Sequence, residues 1–458
     1  MNTNNENTIC AIATPVGGAI AIIRISGSNA INITDEIFYT ISGKKLIDAK
    51  PNTIHYGHIK DNDTTLDEVL VSIFKAPHSY TGEDSVEISC HGSKFILKQT
   101  LQLLIKQGCR QALPGEFTQR AFINGKLDLS QAEAVADLIA STNSTTHSIA
   151  MGQLRGNFSN DLEKLREQLL KLTSLLELEL DFSDHEDLEF ADRTQLMELT
   201  ETIDTKITQL AKSFETGKAI KNGIPVAIIG KTNVGKSTLL NILVGEDKAI
   251  VSDIHGTTRD IIEDTTDING VTFRFIDTAG IRNTTNVIEK IGIELTYKKI
   301  SESTLILWII DQMPTDNEIN EMLKQCENKK LIVVNNKIDI NNITNQLKEK
   351  IKNTPIIGIS AQNDTNINKL RDTICEIMNI PEINENNTIV TSIRHFEALT
   401  AAHDAITRVI EGMKNQLPTD LLTIDLRICL HSLAEITGGE ITPDETLSNI
   451  FKHFCIGK

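Results

Sequence analysis

The spacing of apolar residues divides the chain into stretches of different kinds. Residues 1 to about 125 combine short β-like runs, such as 19–25 and 69–74, with one helix-like stretch near 94–107, a mixture typical of an α+β domain. From about residue 128 apolar residues recur three and four positions apart, which predicts a long amphipathic helix. The residues of this stripe are Leu154, Phe158, Leu162, Leu165, Leu169, Leu172 and Leu176. A helical section is expected to continue to about residue 215.

Between about 222 and 380, apolar runs of strand length alternate with helical stretches. The runs occupy residues 226–229, 272–276, 305–310, 331–335 and 356–359. This alternation predicts a mostly parallel sheet with helices on both faces. Residues 396–413, 419–436 and 447–451 again show helical spacing. The simplest architecture is an α+β domain (1–125), then a discontinuous helical domain (126–217 and 383–458) into which an α/β domain (218–382) is inserted.

Composition and charge limit the class of protein. With 458 residues, 40% of them hydrophobic, the chain can form two or three buried cores. No run approaches the roughly 20 apolar residues of a membrane span, and no signal or transit pattern opens the chain, so we expect a cytoplasmic protein without a membrane segment. The net charge of -17 disfavours nonspecific polyanion binding, so any contact with nucleic acid is expected to be local or shared with a partner.

One segment has the pattern of a phosphate-binding loop. Gly230-Lys231-Thr232-Asn233-Val234-Gly235-Lys236-Ser237 lies between the predicted strand 226–229 and a helical run at 238–243. Its glycines let backbone N–H groups surround phosphates, Lys236 supplies positive charge to the β and γ phosphates, and Ser237 can ligate Mg²⁺. The alternative is a plain glycine-rich turn, which the strand before and the helix after make a weak explanation.

Three further motifs follow the ends of predicted strands. In Asp277-Thr278-Ala279-Gly280 the carboxylate can hold Mg²⁺ through water and the Gly280 N–H can meet the γ-phosphate. In Asn336-Lys337-Ile338-Asp339 the last carboxylate can accept both guanine donors, a pair that adenine does not offer. Ser360-Ala361 can close over the base. Four motifs in this order on these strand ends predict a Ras-like P-loop GTPase domain.

The water-activating group departs from the Ras-like plan. Spacing identifies residues 256–260 as a switch segment, in which Thr258 is the expected second Mg²⁺ ligand. Ile281 stands where Ras-like enzymes carry the glutamine that orients the attacking water, and an apolar side chain cannot do so. Glu289 is a candidate to replace it; from the residues alone, a solvated glutamate at a helix start is the interpretation we favour at this point. Asn233 could help a monovalent cation to occupy the position of an arginine finger.

Three other segments resemble a known family over nearly the whole chain, the tRNA modification GTPases MnmE (also called TrmE). The segment 114–122, Pro-Gly-Glu-Phe-Thr-Gln-Arg-Ala-Phe, with its continuation through 124–134, looks like the signature that joins the family's first and helical domains. The segment 79–84, Ser-Tyr-Thr-Gly-Glu-Asp, and the terminal 454–458, Phe-Cys-Ile-Gly-Lys, look like two more. Together they are far more specific than the GTPase motifs.

The resemblance implies a reaction. Family members act with the flavoprotein MnmG, with which they can form a heterotetramer or larger complex, and add a carboxymethylaminomethyl-type group to carbon 5 of the wobble uridine of certain tRNAs. The one-carbon donor is a tetrahydrofolate derivative, in a 5-formyl or methylene form. By matched motif, the folate-site residues are Arg24, Glu87, Lys126 and Lys458. Glu87 could accept from pterin donors, and the three cations could meet the glutamate tail of the folate, although each could equally be a surface charge.

For the GTPase domain the resemblance implies a homodimer, contacting through the first domain, whose two GTPase domains meet when K⁺ is bound. Asn233 matches the side-chain K⁺ ligand, Ser252, Ile254 and Thr257 match the other ligands, and Glu289 matches the glutamate that orients water. The residues expected to contact GTP are Asn233, Val234, Gly235, Lys236, Ser237, Thr238, Ser252, Asp253, Ile254, His255, Gly256, Thr257, Thr258, Asp277, Thr278, Ala279, Gly280, Asn336, Lys337, Asp339, Ser360 and Ala361.

Two other hypotheses share the GTPase motifs. One is a regulatory or ribosome-assembly GTPase that takes no part in covalent chemistry. The other is a scaffold with a vestigial nucleotide site, which the intact Lys236, Ser237, Asp277 and Asp339 disfavour. Residues 1–125 and the terminal 455–458 are what separate a tRNA-modifying enzyme from the regulatory GTPase.

Overall fold

A computed structural model describes two compact units of the chain. The described residues are 7–181, 193–245, 264–276, 300–378, 387–439, 447, 450–452, 454, 456 and 457. The first unit comprises residues 1–140, 151–208 and 397–458, and the second comprises 141–150 and 209–396. The four-part division expected from the sequence, at 1–125, 126–217, 218–382 and 383–458, stays a prediction. No helix among the described residues is long and apolar enough to cross a membrane.

The first unit opens with a seven-stranded sheet in the order β3-β4-β5-β6-β2-β1-β7. The strands are β1 Ile9–Ile12, β2 Ile20–Ser26, β3 Phe38–Thr40, β4 Thr53–Asp61, β5 Thr64–Phe74, β6 Ser85–His91 and β7 Arg110–Gln111. Neighbouring strands are antiparallel except the parallel pair β1–β7. Alternate residues such as Ile23, Val71 and Ile88 are buried with residues of α1 (Ala30–Asp35) and α2 (Lys94–Lys106). A mostly antiparallel sheet with α1 and α2 packed against one face is the α+β arrangement predicted from the pattern.

Helices follow the sheet along the chain. They are α3 Glu116–Ile123, α4 Leu129–Ala140, α5 Ser144–Leu154, α6 Asn157–Asp181 and α7 Arg193–Asn222, and after the second sheet α12 Ile393–Lys414 and α13 Thr419–Thr437. Helix α13 packs against α6 and α4. The predicted stripe from Leu154 to Leu176 is not one helix, because α5 ends at Leu154 and Gly156 adopts a left-handed φ of +86°. Within the predicted helix 447–451, only 447, 450 and 451 are described.

The second unit is built on a six-stranded sheet in the order β13-β12-β11-β8-β10-β9. Its elements are β8 Ile224–Ile229, α8 Lys236–Gly245, β9 Asp264–Ile268, β10 Val271–Phe275, β11 Leu305–Ile310, α9 Asp316–Gln325, β12 Lys330–Asn335, α10 Thr344–Lys350, β13 Ile356–Gly358 and α11 Ile367–Met378. Leu307 lies in one core with α8 and α11, and its neighbour Trp308 lies in another with α9 and α10. This alternation confirms the predicted sheet with helices on both faces.

The pairing of the second sheet positions the candidate site. The pairs β10–β8, β8–β11, β11–β12 and β12–β13 are parallel, so their carboxyl ends lie along one edge. Among the described strands of this second sheet, only the edge strand β9 is antiparallel to its neighbour. The sequence did not predict this strand. Its residues, Asp-Thr-Thr-Asp-Ile, carry too little apolar pattern to be recognised as a strand.

Candidate functional site

The loop between β8 and α8 has the backbone that a phosphate-binding loop needs. Gly230 has φ +152°, and a Cβ there would overlap the backbone carbonyl oxygen of Ile309. Gly235 has φ +96°, and α8 begins at the next residue, Lys236. Side chains are strained at such angles, so both positions require glycine. Backbone N–H groups in the first turn of a helix attract anions, so the amino end of α8, directly after this loop, is suited to a phosphate.

The two polar side chains predicted to act on phosphate and Mg²⁺ lie in the first turn of α8. Lys236 Nζ donates to the carbonyl oxygens of Gly230, at 2.8 Å, and of Lys231, at 2.6 Å, so its ammonium group lies over the loop. Ser237 is half-buried beside it. The Lys236 ammonium group and the Ser237 hydroxyl therefore lie together in the first turn of α8, as the sequence predicted. Their contacts with phosphate and Mg²⁺ stay a prediction.

Asn336 connects the phosphate-binding loop to the two loops that the sequence assigned to the base. The residue is 2% exposed. Its Nδ2 donates to the Val234 carbonyl at 2.8 Å, and its Oδ1 accepts from the Ala361 N–H at 3.0 Å. A Cβ on Gly235 would overlap this amide, which is a second reason for glycine there. Three sequence-distant motifs thus meet at the carboxyl edge of the sheet.

The residues predicted to read the base lie on a well-anchored turn. The Ile338 N–H donates to the Ile359 carbonyl at 3.1 Å, which ties the turn to the segment after β13. Asp339 next to it is exposed, whereas Ser360 is buried. Lys337 Nζ donates to the Asn233 carbonyl at 2.7 Å, so this residue contacts the phosphate-binding loop. An exposed carboxylate on an anchored turn can accept the paired donors of guanine.

Half of the predicted nucleotide site lies outside the described residues. These positions are Ser252, Asp253, Ile254, His255, Gly256, Thr257, Thr258, Asp277, Thr278, Ala279, Gly280 and Glu289. The adjoining structure is described: the Ile276 N–H donates to the Val226 carbonyl at 3.0 Å. The chain therefore leaves β10 at residue 276 beside β8, the strand that leads into the phosphate-binding loop.

Two of the predicted folate-site residues face each other in the first unit. Arg24 on β2 pairs with Glu87 on β6, with Nε to Oε1 at 2.9 Å and a terminal guanidinium nitrogen to Oε1 at 2.8 Å. The guanidinium carbon lies 5.6 Å from the Tyr80 ring centre and 5.7 Å from that of Phe117, within cation–π range. Another guanidinium nitrogen donates to the Gly457 carbonyl at 3.2 Å. Arg24 therefore also holds the C-terminal segment.

The other two predicted folate-site residues are placed differently. Lys126 is exposed, and its Nζ donates to the Pro77 carbonyl at 3.1 Å. Its side chain also lies against Gly82, in the same loop that carries Tyr80. Lys458 lies outside the described residues. Burial raises the pKa of the Tyr80 phenol, and the hydrogen bond to Thr118 and the charge of Arg24 only partly oppose this, so Tyr80 is a neutral aromatic surface at physiological pH.

Sequence reasoning missed a buried ionic cluster formed by the family signatures themselves. Arg120, 2% exposed, donates to Glu83 at 3.0 and 3.1 Å and to Glu116 at 3.1 Å. Glu116 also accepts from Arg110 and, at 2.8 Å, from the Leu113 N–H. Burial acts to raise the pKa of Glu116, but the Arg110 and Leu113 hydrogen bonds and both arginine charges outweigh it and leave this pKa lowered. The available signal was the i, i+4 spacing of Glu116 and Arg120.

Comparison with known proteins covers almost the entire chain. Residues 8–126 match the model of the GTP-binding protein TrmE N-terminus, and residues 129–455 match that of the MnmE helical domain. The tRNA modification GTPase MnmE of Bacteroides fragilis (strain YCH46) is 54% identical over 466 residues, covering 99% of this chain and 100% of the relative. The protein of that name from Flavobacterium johnsoniae is 50% identical over 468 residues, with 99% of this chain and 100% of the relative covered.

Solved structures add no weight to this assignment. The G domain of the T. maritima FeoB iron transporter is 24% identical and covers 34% of this chain, with a TM-score of 0.26. The two family models and the full-length relatives agree with each other and with the signatures in the sequence. The chain therefore belongs to the family of the tRNA modification GTPases MnmE.

Proposed function

We propose that this chain binds and hydrolyses GTP where the loops 230–237, 336–339 and 360–361 meet. The observation that carries the proposal is the pair of hydrogen bonds made by Asn336, because they hold phosphate-binding and base-binding segments together at the carboxyl edge of a parallel sheet. Asp339 accepts the guanine N1–H and exocyclic amine. ATP is rejected because adenine would leave this carboxylate unpaired.

The phosphates are held by the first turn of α8. The Lys236 ammonium binds the β and γ groups, and the half-buried Ser237 hydroxyl, with Thr258, supplies oxygen ligands of the kind Mg²⁺ prefers. Asp277 would hold Mg²⁺ through a water molecule, and the Gly280 N–H would meet the γ-phosphate. The metal neutralises charge on the phosphate oxygens when bound.

Hydrolysis depends on K⁺ and on Glu289 in this proposal. Asn233 is exposed at the tip of the loop with φ +62°, and its side-chain amide has no hydrogen bond to another described residue, so its oxygen fits a monovalent cation. Ser252, Ile254 and Thr257 are the other proposed ligands. A cation held by these residues would supply the positive charge that an arginine finger supplies in other GTPases. Glu289 orients the attacking water, which Ile281 cannot do.

GTPase assays in K⁺ and in Na⁺ test this proposal. We expect hydrolysis to be at least about tenfold faster in K⁺. We expect Glu289→Ala to lower the rate about 100-fold or more while the affinity for a fluorescent GTP analogue stays within about twofold, because the glutamate acts on water and not on nucleotide. Equal rates in the two salts, or full activity of the variant, would contradict the proposal.

In tRNA modification, the chain acts with the flavoprotein MnmG to add a carboxymethylaminomethyl-type group at carbon 5 of the wobble uridine. A tetrahydrofolate derivative supplies the one-carbon unit when bound. In support, Glu87 uses Oε1 for Arg24, and Oε2 has no hydrogen bond to another described residue, so it can accept from a pterin. The exposed Lys126 and the terminal Lys458 would bind carboxylates of the glutamate tail.

Two measurements test the proposed tRNA modification and folate binding. Mass spectrometry of tRNA nucleosides from cells that lack the chain should show loss of the modified wobble uridine. Calorimetry with 5-formyl-tetrahydrofolate should show binding that Glu87→Gln weakens about 10- to 100-fold, because a charge-assisted hydrogen bond is lost. Glu68→Gln, an exposed position on the neighbouring strand β5, is the matched control. Normal modification without the chain, together with no folate binding, would favour the regulatory GTPase instead.

The chain is proposed to form a homodimer through its first domain. The solvent face of the N-terminal sheet exposes apolar side chains on adjacent strands, where Tyr56 on β4 stands directly opposite Leu70 on β5. Tyr39 and Ile54 are exposed as well. Contiguous exposed apolar side chains are typical of protein–protein contacts. This patch of Tyr39, Ile54, Tyr56 and Leu70 is the proposed dimer contact.

A further inference from the structure

Lys337 has a backbone conformation that is unusual for a residue with a side chain. Its φ is +59°, and a non-glycine residue in the left-handed region costs about 1 kcal/mol or more, so surrounding contacts must stabilise it. The side chain makes two such contacts. Its Nζ donates to the Asn233 carbonyl at 2.7 Å and to Asp311 Oδ2 at 2.7 Å.

Asp311 belongs to none of the GTPase motifs recognised in the sequence. It follows the last residue of β11 directly, and its backbone carbonyl accepts from Asn341 Nδ2 at 3.2 Å. The strand end therefore determines where the carboxylate lies. A lysine ammonium is a flexible point charge, so a carboxylate on a rigid strand end is what keeps it on the Asn233 carbonyl.

Consecutive side chains hold consecutive carbonyls of the phosphate-binding loop. Asn336 holds Val234, and Lys337 holds Asn233, which itself has a left-handed φ of +62°. The Asn336 side chain is held in place by the Ala361 N–H, which donates to its Oδ1, whereas the Lys337 side chain is held by its ion pair with Asp311. Loss of the Asp311 charge would release the Lys337 side chain to solvent and remove one of the two restraints on the loop.

We infer that Asp311 is a positioning residue for the monovalent cation, because through Lys337 it holds the Asn233 peptide in the conformation in which the Asn233 side chain is available as a ligand. The inference rests on the proposed K⁺-dependent hydrolysis. Asp311 itself contacts neither the nucleotide nor the cation.

The test uses the full chain with Asp311→Asn, which keeps the side-chain shape and removes the charge. We expect the K⁺ concentration for half-maximal GTPase rate to rise about three- to tenfold, a range that allows for the partial exposure of the ion pair. The rate at saturating K⁺ and the affinity for a fluorescent GDP analogue in Na⁺ should change less than about twofold. Amide hydrogen exchange of residues 230–236 in nucleotide-free protein should become faster.

Asp316→Asn is the matched control, since it removes an exposed 2.7 Å pair with Lys350 outside the loop and should change none of these quantities. Asp311→Glu keeps the charge on a longer side chain and should give a smaller shift. The inferred role of Asp311 would be contradicted if the wild-type rate is K⁺-dependent but Asp311→Asn changes neither the half-saturating K⁺ concentration nor the amide hydrogen exchange of residues 230–236. Equal weakening of GDP binding in K⁺ and Na⁺ would overturn it too. If wild type is equally active in both salts, the proposed K⁺ dependence fails instead.

Discussion

At the scale of single residues, one buried amide connects the loops of the proposed nucleotide site. Asn336 satisfies both its donor and its acceptor side with backbone groups of loops that are distant in sequence, at Val234 and Ala361. A buried backbone group that loses its hydrogen-bond partner destabilises the folded protein. The Asn336 amide therefore contributes to stability mainly through the two backbone groups that it pairs, and less through its own packing. The sequence identified Asn336 as part of a base-recognition motif, but its connecting role depends on the tertiary structure.

Asn336→Ala should therefore lower both nucleotide affinity and stability. It leaves the Val234 carbonyl and the Ala361 N–H unpaired, which costs roughly 2–4 kcal/mol in total if water does not replace the amide. We expect a fluorescent GDP analogue to bind at least about tenfold more weakly and thermal unfolding of the second unit to begin at lower temperature. Asn363→Ala, at an exposed position near Ser360, is the control. Unchanged binding in Asn336→Ala would show that the loops keep their positions without the amide.

At the scale of elements, buried charges attach helix α3 to the N-terminal sheet. Arg120 on α3 donates both to Glu116 on the same helix and to Glu83, which follows the Tyr80 loop. Glu83 Oε2 also accepts from Ser26 Oγ at the end of β2, at 2.8 Å. Removing one partner from such a cluster is destabilising, because the remaining charges stay buried. The signature residues of the family are thus also the residues that hold these elements together.

The stability of the first unit should consequently fall in acid. Because the folded-state pKa of Glu116 is lowered, its stabilising contribution is complete above its ordinary pKa of 4.5 and is lost as the pH falls through the lowered value. Urea unfolding from pH 7 to pH 3 should show this loss, and Glu116→Gln should cost about 3–5 kcal/mol at pH 7 and reduce the pH dependence. Glu167→Gln, exposed on α6, should leave the profile unchanged. An identical pH profile for wild type and Glu116→Gln would refute the assignment.

At the scale of the whole molecule, the apolar patch on the N-terminal sheet is a feature that a monomer would not need. Tyr56 and Leu70 alternate with buried residues of β4 and β5, so the strands carry apolar side chains on both faces. A sheet covered on one face and open to water on the other normally alternates apolar with polar residues. The departure from that rule is what supports the proposed homodimer.

Leu70→Glu should dissociate the proposed dimer. A carboxylate buried without a partner in an apolar contact is strongly unfavourable, so we expect the dimer dissociation constant, measured by analytical ultracentrifugation, to rise about 100-fold or more. Ile340→Glu, at a highly exposed position of the second unit, is the control for adding a charge at an exposed apolar site. A monomeric wild type, or a Leu70→Glu variant that remains dimeric, would contradict the proposed contact.

The sequence by itself determined the kind of protein and the order of its elements. The strand-length apolar runs before 230, 336 and 360 predicted the parallel sheet, because strands buried on both faces must be apolar throughout. The local motifs predicted where the nucleotide binds, since a phosphate-binding loop depends on glycines and short polar side chains at set spacings. The family assignment from the signature segments was confirmed by the full-length relatives.

Only the tertiary structure decided which side chains connect these motifs. Asp311, Arg110 and the pairing of Arg24 with Glu87 depend on contacts between residues distant in sequence, which spacing along the chain does not report. The sequence also failed to predict the break at Gly156 and the polar edge strand β9, although both are features of local secondary structure. There a single backbone angle or the pairing with a neighbouring strand outweighed the local apolar pattern, because secondary structure is stabilised by hydrogen bonds and packing as well as by residue type.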